Sequence, residues 1–107
     1  MKHRLFLSGP ITNIDDYRKR FDQDDNLLTS KGWAVANPTR MGLEIFPDTE
    51  DGWKDCMKET ISIMIKCNGV ALMDGWEKSR GSKIEKEIAD ILGIPTKTVI
   101  DWAKQDE

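Results

Sequence analysis

Three short apolar runs, each closed by a turn-forming pair, constrain this chain more than any other feature. Arg4-Leu5-Phe6-Leu7-Ser8 stops at Gly9-Pro10, Trp33-Ala34-Val35-Ala36 at Asn37-Pro38, and Gly69-Val70-Ala71-Leu72-Met73 at Asp74-Gly75. Runs of this length bounded by such pairs read as buried strands. Helical spacing fills the intervals. From about Ile14 to Ser30, Ile14, Tyr17, Phe21 and Leu28 recur roughly in helical step, and Gly32 follows as a stop. From Trp53 to Lys66, the positions Trp53, Cys56, Met57, Ile61, Met64 and Ile65 form an amphipathic helix. A third helix is expected from about Ser82 to Leu92, ended by Gly93-Ile94-Pro95, with Thr96–Ile100 as a last strand. Thr39–Gly52 carries Gly42, Pro47, Asp48 and Gly52 without a period, and is expected to be a long loop of the kind that often carries function.

Strand and helix thus alternate, which predicts parallel strands joined by helical crossovers. The expected fold is a small doubly wound α/β domain. Its flavodoxin/Rossmann-like open parallel sheet has four to five strands, with helices on both faces. With 107 residues the chain is expected to be a single domain over residues 1–107. Ligands of such sheets sit beyond the carboxyl ends of the strands. Ser8-Gly9-Pro10, Asn37-Pro38 and Asp74-Gly75-Trp76 all fall there.

Composition excludes several classes. The net charge is −3 and no basic stripe stands out, which argues against a nucleic-acid polymer as partner. The mixed run Asp15, Asp16, Arg18, Lys19, Arg20, Asp22, Asp24 and Asp25 reads as a solvated helix face. No apolar run approaches the ~18 residues of a membrane span. Met1–Leu5 leads straight into a strand-like run with no visible signal peptide, so a cytoplasmic location is expected. Cys56 and Cys67, on one helix, would stand about 16 Å apart, too far for a disulfide, and both are read as core thiols. With His3 the single histidine, neither a metal-ligand set nor a Ser/His/Asp triad is expected, and no cofactor is implied.

The loop Asp74–Ser82 carries the chemistry. It follows a strand and opens a helix, whose first N–H groups and positive end attract anions. Gly81 permits close backbone approach, Ser79 and Ser82 offer hydroxyls, and Arg80 adds a fixed charge. Together these suit a phosphate, and Ser79 or Ser82 reads equally well as a plain helix cap. Glu85 is the one carboxylate out of pattern. Ile84, Ile88, Ile91 and Leu92 are expected to form the apolar stripe, Lys83, Lys86, Glu87 and Asp90 the polar side, and Glu85 the edge between them. Placed in the first turn, it is expected to be held as an anion by the helix dipole, or simply to complement that dipole beside a lysine. Trp76 is either a stacking surface for a base or a cap on the core. Walker and dinucleotide glycine patterns are absent.

Leu7-Ser8-Gly9-Pro10, Gly32–Pro38, Trp53 with Met57, and Gly75-Trp76-Glu77-Lys78-Ser79-Arg80-Gly81-Ser82-Lys83-Ile84-Glu85 resemble the DUF4406 family. These are small bacterial and phage proteins related to nucleoside 2-deoxyribosyltransferases. The resemblance implies that Ser79-x-Gly81-Ser82-x-x-Glu85 corresponds to the transferases' Asp-x-Gly-Thr-x-x-Glu. Glu85 would then be the nucleophile that attacks C1′ and expels the base. It further implies that Ser8, Gly9, Pro10, Gly75, Trp76, Ser79, Arg80, Gly81 and Ser82 bind a nucleoside or nucleotide. Ser79 stands where the transferases carry Asp, which favours a 5′-monophosphate, as in the related deoxynucleoside-monophosphate hydrolases. The chain departs from its relatives at Phe6, where they carry Tyr; at Thr60, where they carry Asp, with Glu59 beside it; and at Asn68, where Asp is common. Two rival readings stand beside the glycosidic enzyme. One is a binding module that holds a nucleotide without turnover. The other is an interaction protein with exposed tryptophans. Homo-oligomers are common among the relatives, with Trp102 and the tail Gln105-Asp106-Glu107 available for such a contact.

Overall fold

The structure is a computed structural model that describes residues 3–11, 15–41 and 49–105. Four strands, β1 (Arg4–Ser8), β2 (Ala34–Ala36), β3 (Gly69–Leu72) and β4 (Thr96–Thr98), form one sheet in the order β2-β1-β3-β4. Every pairing is parallel: Leu5 lies opposite Val35 and Gly69, and Val70 opposite Thr96. Four helices connect or follow them: α1 (Tyr17–Ser30), α2 (Glu50–Met64), α3 (Arg80–Ile91) and α4 (Val99–Ala103). Short 3-10 turns at Pro38–Arg40 and Trp76–Lys78 lie beyond β2 and β3. This is the doubly wound α/β architecture expected, with four strands.

Alternation along the central strands builds two cores. Leu5, Leu7, Ala71 and Met73 face one side and pack with Phe21 and Leu28 of α1 and Val99 and Trp102 of α4. Phe6, Val70 and Leu72 face the other and pack with Met64 of α2 and Ala89 of α3. The central strands are therefore apolar at nearly every residue, as a sheet covered on both faces requires.

Several boundaries differ from the sequence reading, each for a local reason. The last strand stops at Thr98, because the Thr98 hydroxyl accepts the Asp101 N–H at 3.1 Å and starts α4. That short helix buries Trp102, whose Nε1 donates to the Val70 carbonyl at 2.8 Å while its ring meets Trp33 edge-on at 5.1 Å. Trp102 is thus a core residue, not a free contact surface. Helix α2 begins at Glu50, earlier than expected, since the Thr49 hydroxyl accepts the Gly52 N–H at 3.0 Å and Glu50 and Asp51 suit the positive helix end. The rest of the expected loop, residues 42–48, lies outside the described residues, as do Ile14 and the tail residues Asp106 and Glu107. The charged run on α1 is not wholly solvated. Asp25 is buried, accepting from Asn37 Nδ2 at 3.1 Å, Thr29 Oγ1 at 3.0 Å and Arg40 Nη1 at 3.0 Å. This network ties α1 to the turn after β2.

Candidate functional site

The carboxyl ends of β1, β2 and β3 open on one side of the sheet, where α2 and α3 enclose a cavity of about 530 Å³. Two close approaches shape it. Gly9 leaves β1 hard against Met73, and a Cβ there would lie 2.8 Å from Met73 Cβ and Sδ. Gly75 turns the chain after β3 with φ +87°, a conformation that side chains resist. Gly9 and Pro10 line the cavity; Gly75 stands behind Pro10 and shapes the turn.

Glu85 lines this cavity from α3, and it is only 6% exposed. Ser8, at the end of β1 and buried, donates its hydroxyl to Glu85 Oε1 at 2.6 Å. The helix places it differently from the expectation. Because α3 begins at Arg80, Glu85 is its sixth residue, past the first turn where the dipole acts. Nor is it at the edge of the apolar stripe: Ser82, Glu85 and Ala89 are the buried line of α3, while Ile91 is 76% exposed and Leu92 57%. Burial, not the dipole, therefore decides its charge. It pushes the carboxyl up to about 7, against the opposing pull of the Ser8 and Thr60 hydroxyls. No cation pairs with Glu85 among the described residues.

The start of α3 forms the cavity's polar end. Ser79 caps it, its hydroxyl accepting the Ser82 N–H at 3.2 Å. The N–H groups of Arg80 and Gly81 are left without an acceptor inside the helix. Ser82 is 1% exposed, and its hydroxyl lacks a hydrogen-bond partner among the described residues. Arg80 lines the mouth, where its guanidinium is bidentate to Glu50 at 3.0 and 2.8 Å and stacks 3.7 Å from the centroid of Trp53.

Among the residues singled out by sequence, Ser79, Arg80, Gly81, Ser82, Gly9, Pro10 and Glu85 come together around the cavity, with Ser8 bonded to Glu85 from behind. Trp76 does not join them. It packs half-buried on the second core, with Lys86 Nζ 5.9 Å from its ring centroid. The indole at the cavity is Trp53 instead, on the α2 face that also presents Cys56, Met57 and Thr60. Spacings of three, four and seven residues from Trp53 were the available signal, but they read equally well as a core stripe. Cys56 is accordingly half-buried at the cavity and not a core residue, and burial, with Glu85 and Glu59 nearby, pushes its thiol up. Glu59 is exposed and does not line the cavity, whereas Phe6 and Thr60 do. Asn68 lies at the opposite end of the sheet, accepting the Arg4 N–H at 2.8 Å. None of the four tryptophans is exposed, which removes the basis for a tryptophan-led interaction surface. Among the described residues no cluster of three or more potential metal ligands occurs, and no helix is long and apolar enough to cross a membrane.

Comparison with known proteins follows the same line. The model of a domain of unknown function, DUF4406, matches residues 3–98. No curated protein matches the chain. The solved structure of a 2-deoxyribosyltransferase from the psychrotolerant bacterium Bacillus psychrosaccharolyticus is similar in fold. Its TM-score is 0.63 at 16% identity, over 87% of this chain and 69% of that one. With residues 3–98 matched and the fold shared with that structure, the chain belongs to the DUF4406 family and has a nucleoside 2-deoxyribosyltransferase-like α/β fold.

Proposed function

We propose that this chain is an N-glycosidase or 2-deoxyribosyltransferase that acts on a 2′-deoxynucleotide, with Glu85 as nucleophile. The observation that carries the reading is the buried Glu85 carboxylate in the wall of a nucleotide-sized cavity, held by Ser8 at 2.6 Å and unpaired with any cation among the described residues. A carboxylate stripped of water and aimed by a neighbouring hydroxyl is a competent nucleophile toward an oxocarbenium-like carbon. As the bond from Glu85 to C1′ forms, the C1′–N bond breaks. The base leaves with the electron pair and takes a proton from solvent. Water, or a second base, then attacks C1′ and restores the carboxylate.

The start of α3 suits the 5′-phosphate. Helical N–H groups, the Ser79 hydroxyl and the Ser82 hydroxyl, partnerless among the described residues, are all donors, and the Glu50 carboxylate beside them is held by Arg80. Trp53 offers the ring at the cavity. A second reading, a nucleotide-binding module without turnover, draws on Phe6: it lines the cavity where the relatives' Tyr would supply a hydroxyl near the nucleophile.

The test is incubation of the protein, and of Glu85→Ala, with deoxynucleosides and their 5′-monophosphates, following free base by chromatography with and without an acceptor base. Base release by the native chain alone is expected, and faster from monophosphates. Release by neither protein rejects the enzyme reading and leaves the binding module. Binding of a monophosphate no tighter than its nucleoside rejects the phosphate assignment.

A further inference from the structure

Glu50 and Arg80 meet across the cavity mouth in an arrangement that the reaction above does not use. Glu50 opens α2, fixed there by the Thr49 cap, and Arg80 opens α3. The guanidinium gives two parallel N–H donors to the two oxygens of Glu50, Nη1 at 3.0 Å and Nη2 at 2.8 Å. Trp53 holds the guanidinium plane from the other side at 3.7 Å. One and two residues beyond Arg80 come the unsatisfied helical N–H of Gly81 and the buried, partnerless hydroxyl of Ser82. Among the described residues, the acceptor engaging this donor group is therefore a carboxylate borrowed from α2.

We propose that Glu50 is an internal stand-in for a ligand's phosphate and sets the selectivity of the site for phosphorylated ligands. The proposal rests on the phosphate assignment above. A phosphate presents the same pair of acceptor oxygens to the guanidinium fork with more charge, so it competes for the same donors. Arg80 need not move to receive it, because Trp53 already fixes its plane; only Glu50 swings away. That release is cheap. Both side chains are more than half exposed, 59% for Arg80 and 57% for Glu50, and exposed pairs hold weakly. Once freed, Glu50 still sits in the first turn of α2, where the helix end favours its charge.

The experiment titrates 2-deoxyribose 5-phosphate and 2-deoxyribose into the native protein, Glu50→Gln, Arg80→Ala and Arg80→Lys by calorimetry. These probes carry the sugar and phosphate without committing to a base. Both positions are exposed, and an unchanged melting curve identifies variants that fold. Glu50→Gln is expected to tighten the phosphate ligand about three- to fivefold and leave deoxyribose unchanged. Arg80→Ala is expected to weaken the phosphate ligand by about tenfold or more, and Arg80→Lys to recover part of that loss. A native preference for the phosphate ligand that neither Glu50→Gln nor Arg80→Ala alters overturns the exchange while sparing the phosphate assignment. Absence of preference in every protein overturns both.

Discussion

Replacing Ser8 with alanine removes the 2.6 Å hydrogen bond to the Glu85 carboxylate and leaves the Thr60 hydroxyl in place. Ser8 Oγ donates to Oε1 at 2.6 Å, and both residues are buried, so no water replaces the lost donor readily. A hydrogen bond to a charged group contributes about 1.5–3 kcal/mol, and it acts only on the ionised form. At about 1.4 kcal/mol per pKa unit, its loss raises the Glu85 carboxyl from about 7 to roughly 8–9. Selective ¹³C labelling of glutamate, with the Glu85 signal assigned by its disappearance in Glu85→Gln, follows this titration directly by NMR. If base is released, the same step appears in kcat/KM: the acid limb lies near pH 7 in the native chain and one to two units higher in Ser8→Ala. At pH 7 the variant then loses about five- to fiftyfold and recovers in alkali. A native midpoint at the ordinary 4.5 would refute the dominance of burial. A Ser8→Ala midpoint equal to or below the native one would refute the role of the hydroxyl.

The same raised carboxyl carries a stability signature. Since its folded value of about 7 exceeds the ordinary 4.5, the folded chain holds this proton more tightly than the unfolded one, and the stabilisation is full below 4.5 and lost as pH rises through 7. That gap corresponds to roughly 3 kcal/mol, so urea titrations should show Glu85→Gln gaining on the native chain by about that amount between pH 4 and pH 8. Trp102→Phe deletes the bond to the Val70 carbonyl and should cost about 1–3 kcal/mol by the same assay, with no effect on nucleotide binding. Gly9→Ala drives a Cβ to 2.8 Å from Met73 and should cost about 1–3 kcal/mol; Gly81→Ala, whose neighbour is the flexible Met57 Sδ at 3.0 Å, should cost less in thermal melts. A deoxynucleoside monophosphate at a hundred times its Kd should raise stability by about 2.7 kcal/mol, and an unmoved melting curve at that concentration would contradict a nucleotide site of any kind.

The fold was legible because its determinants are local. Apolar runs at Arg4–Ser8 and Gly69–Met73, stopped by Gly9-Pro10 and Asp74-Gly75, specify buried strands without reference to the rest of the chain. So does the recurrence of Phe21 and Leu28 on α1. The elements misread are those whose signal is one turn long. Helix α4 rests on the Thr98 cap and two apolar residues, Val99 and Trp102, too few to establish a period. The site was half legible. Spacing along one loop brought Ser79, Gly81, Ser82 and Glu85 to the right helix end. The partners that set their chemistry are remote in sequence: Ser8 is separated from Glu85 by 77 positions, and Glu50 from Arg80 by 30. Trp53, three positions into the same helix as Glu50, reads from sequence as a core residue and in the fold becomes the ring beneath Arg80. Charge was misjudged for a related reason. The dipole is a local property of α3, whereas the burial that overrides it is supplied by β1 and α2.

Two departures from good packing practice meet on one line of α3, and their coincidence is informative. Glu85 is a carboxylate buried without a cation among the described residues, at a standing cost of roughly 3 kcal/mol at neutral pH in a class of domains whose whole stability is about 5–15 kcal/mol. Ser82, one turn earlier, buries a hydroxyl without a partner among the described residues. Ala89, one turn later on the same line, obeys the ordinary rule and packs under β3 and Phe6. Had the line served only to seat the helix, an apolar residue at either position would have packed as well at lower cost, and the three positions would be alike. They differ where the line leaves the core and passes beside the cavity. Ser82 and Glu85 line it and Ala89 does not. The local rules thus fail at the cavity and hold away from it, the pattern expected when a site, not the fold, dictates the residue.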